Sequence, residues 1–219
     1  MKRQLITEQD VLTAAGQGRT QLAIALRAIV TPLAADTAVE KKISLIRTDA
    51  VSPIPSASPA SFIPAAQVNL PSVVIGSDHG GFALKAELVE FMRGLGVRVE
   101  DTGTANTEPC DYPDFAHAVA VRVAGGGAGL GIMIDGAGVG SCIVVNKVPG
   151  VRGACCTNEF MARNAREHNN ANVLTLGSRV IGSEVAKAIV TVFLRTAFAG
   201  GRHEVRVKKI MDVERRYRK

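Results

Sequence analysis

From residue 73 onward the sequence predicts an α/β fold, a parallel sheet with helices on both faces. Three observations predict it. Short apolar runs alternate with amphipathic stretches of helical length. The first and third of these runs end in glycine-rich polar segments, the kind of loop that binds ligands outside the carboxyl ends of parallel strands. The chain of 219 residues is 47% apolar and 21% charged, the balance of a globular protein and too apolar for a disordered one.

The elements follow in order. Val73-Val-Ile75 is a strand of the buried type, and Phe82–Leu95 is an amphipathic helix. Val97-Arg-Val-Glu100 is a second strand. Tyr112–Val123 is helical, with Pro113 in its first turn, where the missing N–H is not needed. Gly129–Ile134 is a third strand, which runs into Asp135-Gly-Ala-Gly-Val-Gly140 and a helix to Asn146. Gly153–Cys156 is a fourth strand, Glu159–Glu167 a helix, Val173–Leu176 a fifth strand, and Ser183–Ala197 a long helix.

Composition changes near residue 50. Val51 to Pro64 holds four prolines and four serines, which excludes a helix or a central strand and predicts an extended linker. The expected organisation is an N-terminal extension (1–49), a linker (50–71) and a main domain (72–219). In the extension, Thr7 with Asp10 three residues on opens a helix that Gly16 and Gly18 stop. Gln21–Val30 is expected as one short strand, Thr31-Pro32 as a second helix start, and Ile43–Ile46 as a further strand. So few residues make a weak core alone, so this piece is expected to dock elsewhere or to be partly ordered.

The formal net charge is +6, which invites a polyanionic partner. Its location argues otherwise. Residues 202–219 hold eight Lys/Arg against three Asp/Glu, so the remainder is nearly neutral. With no Trp and two Tyr, base-stacking platforms are scarce, and nucleic acid is not the expected partner. No run of 18 apolar residues exists for a membrane span, and no apolar segment follows the basic N-terminus as in a secretory signal. The four cysteines show no C-x-x-C metal spacing and read as reduced thiols of a cytoplasmic protein.

Several groups could carry chemistry, and each also has a structural reading. Asp78-His79 at the end of the first strand could hold or protonate a polar ligand, or form a capped turn. Gly136, Gly138 and Gly140 bring backbone N–H groups to a helix start, as an anion hole or as tight packing. Their spacing is neither the dinucleotide fingerprint nor a P-loop. His168-Asn169 could do acid–base work on a sugar oxygen, or the His could sit at a helix C-terminus for its dipole. Arg202 and Arg206 share one helix face and could clamp a phosphate, or be solvated.

Taken together, these pieces resemble the ribose-5-phosphate isomerase B family, which includes the galactose-6-phosphate isomerase subunits. The matching segments are Gly76-Ser-Asp-His-Gly-Gly-Phe-Ala-Leu-Lys85, Asp111-Tyr-Pro113, Gly136-Ala-Gly-Val-Gly140 and Asn146-Lys147. Val151-Arg152, Arg166 to Asn169, Asn172-Val-Leu174, Gly177-Ser-Arg179, Gly200-Gly-Arg-His203 and Arg206-Val207 follow in family order.

The resemblance implies a Rossmann-like three-layer sandwich with five parallel strands, in homodimers or tetramers with active sites at the subunit interface. It implies interconversion of aldose and ketose phosphates, ribose 5-phosphate foremost, through a cis-enediolate without metal or other cofactor. By position, His79, Arg202 and Arg206 would bind phosphate, and Asp78 and His168 would assist ring opening and proton movement. Asn169 and Arg179 would reach in from a partner subunit, and Tyr112 would line the pocket. The N–H groups of residues 136–140 would stabilise the enediolate.

One departure matters. Many members carry Cys at the position of Asp135, where its thiolate moves the proton; others have Ser there with Glu at the position of Val139. Here Asp135 is the only ionisable side chain of the loop. A carboxylate can abstract a proton alpha to a carbonyl. Loop N–H groups would lower its pKa and weaken it. The expectation is Asp135 as catalytic base; the alternative is a sugar-phosphate-binding or assembly protein of the same fold. Cys142, Cys155 and Cys156 are read as small core residues. In the extension, Thr7–Leu12 and Ala28–Ala34 loosely resemble N-terminal segments of bacterial-microcompartment enzymes, such as ethanolamine-utilisation proteins. That implies a shell or cargo contact through residues 1–49.

Overall fold

The computed structural model describes residues 5–48 and 70–218. It divides into two compact units, Met1–Ala66 and Gln67–Lys219. The expected Pro/Ser linker lies almost wholly outside the described residues.

The first unit is an internal repeat. Strand β1 (Leu5–Ile6), helix α1 (Glu8–Gly16) and strand β2 (Gln21–Ala25) recur as β3 (Ile29–Val30), α2 (Pro32–Glu40) and β4 (Ser44–Thr48). Pairing is parallel and crosses between the halves: Leu5 opposes Ile29, and Gln21 opposes Ser44. Each helix starts from a threonine. Asp10 accepts from Thr7 N–H and Thr7 Oγ1, both at 2.8 Å. Thr31 Oγ1 accepts from Ala34 N–H at 3.2 Å, with Pro32 in the first turn.

One expectation is corrected here. Gln21–Val30 is not one strand, because Ala28 N–H bonds Ala25 C=O at 2.9 Å and closes a turn. Arg47 donates to the carbonyls of Leu26 (2.7 Å) and Ala28 (3.1 Å), pairing turn groups that the sheets leave out. The unit also has a core of its own, with Ile6, Val11, Leu22, Ile24, Ala34, Ala38 and Ile43 buried together. The interlocked pairing of two halves makes that core possible at this length.

The second unit is the expected parallel α/β layer structure. Its strands are β5 (Val73–Ser77), β6 (Val99–Asp101), β7 (Leu130–Asp135), β8 (Gly153–Cys155) and β9 (Val173–Gly177). Their order in the sheet is β6-β5-β7-β9-β8, all parallel. The helices are α3 (Phe82–Gly94), α4 (Tyr112–Ala124), α5 (Val139–Val145), α6 (Glu159–Asn169), α7 (Ser183–Arg195) and α8 (Arg202–Tyr217). One core joins α3, α6 and α7 to one face of the sheet, and a second joins α4 and α5 to the other. Strands β5, β7 and β9 are buried along their whole length, which is why they read as continuous apolar runs. The chain leaves β5 for β6 on one side and later reaches β7 on the other, so the crevice between β5 and β7 is the topological switch point.

Candidate active site

Three loops meet at the carboxyl ends of β5, β7 and β9. The β5 loop is fixed by Asp78: its N–H bonds Ile134 C=O at 3.2 Å, and its Oδ1 accepts from Gly81 N–H at 2.9 Å. Gly81 admits no side chain, since a Cβ there would lie 2.5 Å from Ile134 O. From the β9 loop, Ser178 Oγ donates to Gly80 C=O at 2.7 Å, and the N–H groups of Ser178 and Arg179 bond the carbonyls of Asp135 (2.9 Å) and Gly136 (3.1 Å).

His79 Nδ1 lies 3.2 Å from both the N–H and the C=O of Cys110, so the segment before α4 holds the ring in either tautomer. Cys110 Sγ is 3.9 Å from the same nitrogen. At the start of α4, the Tyr112 ring lies against Gly140, where a Cβ would be 2.7 Å from it. Gly138 takes the left-handed conformation (φ 80°), and a Cβ there would meet the Leu176 backbone at 2.9 Å. That turn aims successive N–H groups at one point, an anion-binding nest.

The point is occupied by the side chain of Asp135. Its Oδ1 accepts from Ala137 N–H (2.8 Å) and Gly138 N–H; its Oδ2 accepts from Ser141 N–H (3.0 Å) and the Ser141 hydroxyl (2.5 Å). Asp135 is 5% exposed. Burial alone would push its carboxyl up, but the Ser141 hydroxyl and the three N–H donors outweigh that and hold it below the usual carboxylate range. Burial pushes the Cys155 thiol up, and that of Cys156 up to about 12. Cys156 lies in the core as expected; the same expectation for Cys142 and Cys155 is corrected, since both are only half-buried at the edge of the loop.

The remaining expected residues lie at the other end of the sheet. Helix α6 joins two parallel strands, so it runs back against them and ends beside the amino end of β9. There Asn164 Nδ2 is 2.9 Å from His168 Nδ1, and the His168 and His203 rings stack at 4.0 Å. Asn169 Nδ2 reaches the main-chain and side-chain oxygens of Asn164 at 3.4 Å. Ala199 N–H bonds Glu167 C=O at 3.0 Å, which brings the start of α8, with Arg202 and Arg206, to this same end. A five-residue strand spans about 16 Å, so one chain holds two separate sets. Asp78, His79, Tyr112, the Asp135–Gly140 loop and Arg179 form one; His168, Asn169, Arg202 and Arg206 form the other. The expectation that Arg179 belongs with Asn169 is corrected: its main chain is tied to Gly136 of its own loop.

Two participants escaped the sequence reading. Ser141 and Cys110 carry no motif of their own. Ser141 follows the glycine loop at a helix start, where a hydroxyl can meet a carboxylate that caps the same helix, and that placement was the available signal.

A parallel α/β unit whose switch-point loops bring an Asp, a His and a glycine-rich turn together is of the kind that binds a small ligand outside the carboxyl ends of its strands. Residues 73–210 match the family described as Ribose/Galactose Isomerase, and the chain belongs to that family. It is similar to ribose-5-phosphate isomerase B of Escherichia coli (strain K12), 46% identical over 144 residues that cover 66% of this chain and 97% of the relative. It is 40% identical over 140 residues to D-erythrulose-4-phosphate isomerase of Pectobacterium atrosepticum, covering 64% of this chain and 92% of that one. The solved ribose-5-phosphate isomerase B of Clostridium thermocellum superposes with TM-score 0.66 at 50% identity, over 67% of this chain and 99% of the other. This chain is a sugar-phosphate isomerase of the aldose–ketose type.

Proposed function

We propose that the chain interconverts ribose 5-phosphate and ribulose 5-phosphate through a cis-enediolate, with Asp135 moving the proton between C1 and C2. The observation that carries this reading is the nest at the end of β7, set beside Asp78 and His79 at the switch point. Its donors now meet the Asp135 carboxylate. When Asp135 takes a proton it becomes neutral, and the same N–H groups, fixed in place and no longer facing a carboxylate charge, are left to stabilise the charge that develops on the substrate oxygen. His79, Arg202 and Arg206 hold the phosphate, Asp78 and His168 assist ring opening, and Asn169, Arg179 and Tyr112 border the sugar. Gly136, Gly138 and Gly140 give the backbone its close approach.

Because the two sets of residues lie at opposite ends of the sheet, a complete site takes one set from each of two copies. The working unit in this reading is a homodimer, or a tetramer of such dimers. Residues 1–49 form a contact module for a microcompartment shell or its cargo. In support, Leu5 and Ile29 lie side by side in the β1–β3 pair at 55% and 49% exposure. Deleting residues 1–70 should spare turnover and abolish co-purification with shells; continued co-purification would refute the module.

The catalytic test is turnover of ribose 5-phosphate, allose 6-phosphate, galactose 6-phosphate and D-erythrulose 4-phosphate by wild type and Asp135→Asn. Ribose 5-phosphate should be fastest, and Asp135→Asn should lose roughly 10²- to 10⁴-fold. Equal rates would remove Asp135 from proton transfer. A melting shift with inorganic phosphate but no turnover in any arm would select a binding role instead.

A further inference from the structure

An ionised carboxylate has about four in-plane lone-pair positions, and in Asp135 each has a protein donor. Three of the donors are main-chain N–H groups, of Ala137, Gly138 and Ser141, fixed by the left-handed turn at Gly138 and the first turn of α5. The fourth is the Ser141 hydroxyl, 2.5 Å from Oδ2. Only this donor can rotate about its own bond, and only it can accept as well as donate. A carboxylate so engaged cannot take a proton from carbon until one donor lets go. Ser141 is 0% exposed, so it acts through Asp135 rather than on the substrate.

We propose, resting on the assignment of Asp135 as base, that Ser141 is a positioning residue whose hydroxyl locks the Asp135 carboxylate in the loop and frees it for proton transfer by releasing Oδ2. In that step the substrate C–H bond breaks and its proton goes to Asp135. The electron pair stays on the enediolate, whose charge the loop N–H groups then meet. Once Asp135 is protonated, Ser141 Oγ can accept from it, which no main-chain N–H can do.

The other titratable or charged groups around the loop are Asp78 and His79 after β5, Tyr112 on α4, Cys142 on α5, Cys155 on β8 and Arg179 after β9. Burial raises the Cys155 thiol, so it stays neutral through the acid range. The experiment compares Ser141→Ala and Ser141→Thr with wild type. It reads the acid limb of kcat/KM for ribose 5-phosphate and the ¹³C titration of the Asp135 carboxyl, assigned with Asp135→Asn. Ser141→Ala should move both limb and titration up by about one pH unit, the worth of one hydrogen bond to a charged group. Its KM should stay within about two-fold of wild type. Ser141→Thr, which keeps the hydroxyl, should restore the wild-type limb. An unmoved limb and titration in Ser141→Ala, beside an inactive Asp135→Asn, would overturn the proposal alone. Equal loss in the Ala and Thr variants with no pH shift would reduce Ser141 to packing and overturn it too. A fully active Asp135→Asn would bring down the base assignment and the proposal with it.

Discussion

Asp135 shows how one residue is set by competing effects. Burial favours its neutral form, and four donors favour its charge; the donors win. Its folded pKa is therefore below the ordinary value of 3.8, and the sign of its pH dependence follows. The stabilisation is fully present above that value and is lost as pH falls through the lower folded one. Hydrogen bonds to a charged group contribute roughly 1.5–3 kcal/mol. In denaturant melts, wild type should exceed Asp135→Asn at pH 7, and the gap should begin to narrow below about pH 4. A gap that stays constant down to pH 3 would show that the carboxylate is not held as an anion. The presence of Asp135 at a strand end before a glycine loop was legible in the sequence. Its saturation was not, because that depends on where the Gly138 turn aims three N–H groups and on a buried serine six residues away.

At the scale of elements, local signals were strongest at helix starts. Thr7, Thr31 and the prolines after Thr31 and Tyr112 each open the helix expected of them, since capping is settled within four residues. Thr31→Ala removes the acceptor for Ala34 N–H and should cost about 1 kcal/mol in the melting of the first unit. Turnover should be unchanged, so a matching loss of activity would show that the extension serves catalysis after all. Strand ends were less legible. Val97 reads as strand but precedes β6, which begins at Val99: its N–H bonds Met92 C=O at 3.0 Å and finishes the α3 turn. The repeat in the first unit escaped notice because its halves match in element order and threonine placement rather than in residue identity.

At the scale of the molecule, the division of the candidate site follows from chain direction. In a parallel sheet every crossover helix returns to the amino ends of the strands, so the last turn of α6 cannot reach the loops after β5 and β7 of its own chain. Mixing tests this. Co-expressed His79→Ala and His168→Ala chains, each inactive alone, should recover about a quarter of wild-type activity. Half the dimers would be mixed, and each would hold one intact site. No recovery in verified mixed dimers would place both histidines in one chain's site.

By itself the sequence determined the α/β class, the helix starts, the break near residue 50 and the residues that match the family. These depend on periodicity, capping and motif order, which act over a few positions. Tertiary structure alone decided the strand order, the interlocked halves of the extension, the two ends across which the site residues divide, and the hold of Ser141 on Asp135. Each of these depends on which distant segments the folded backbone brings within bonding distance, and no local spacing encodes that.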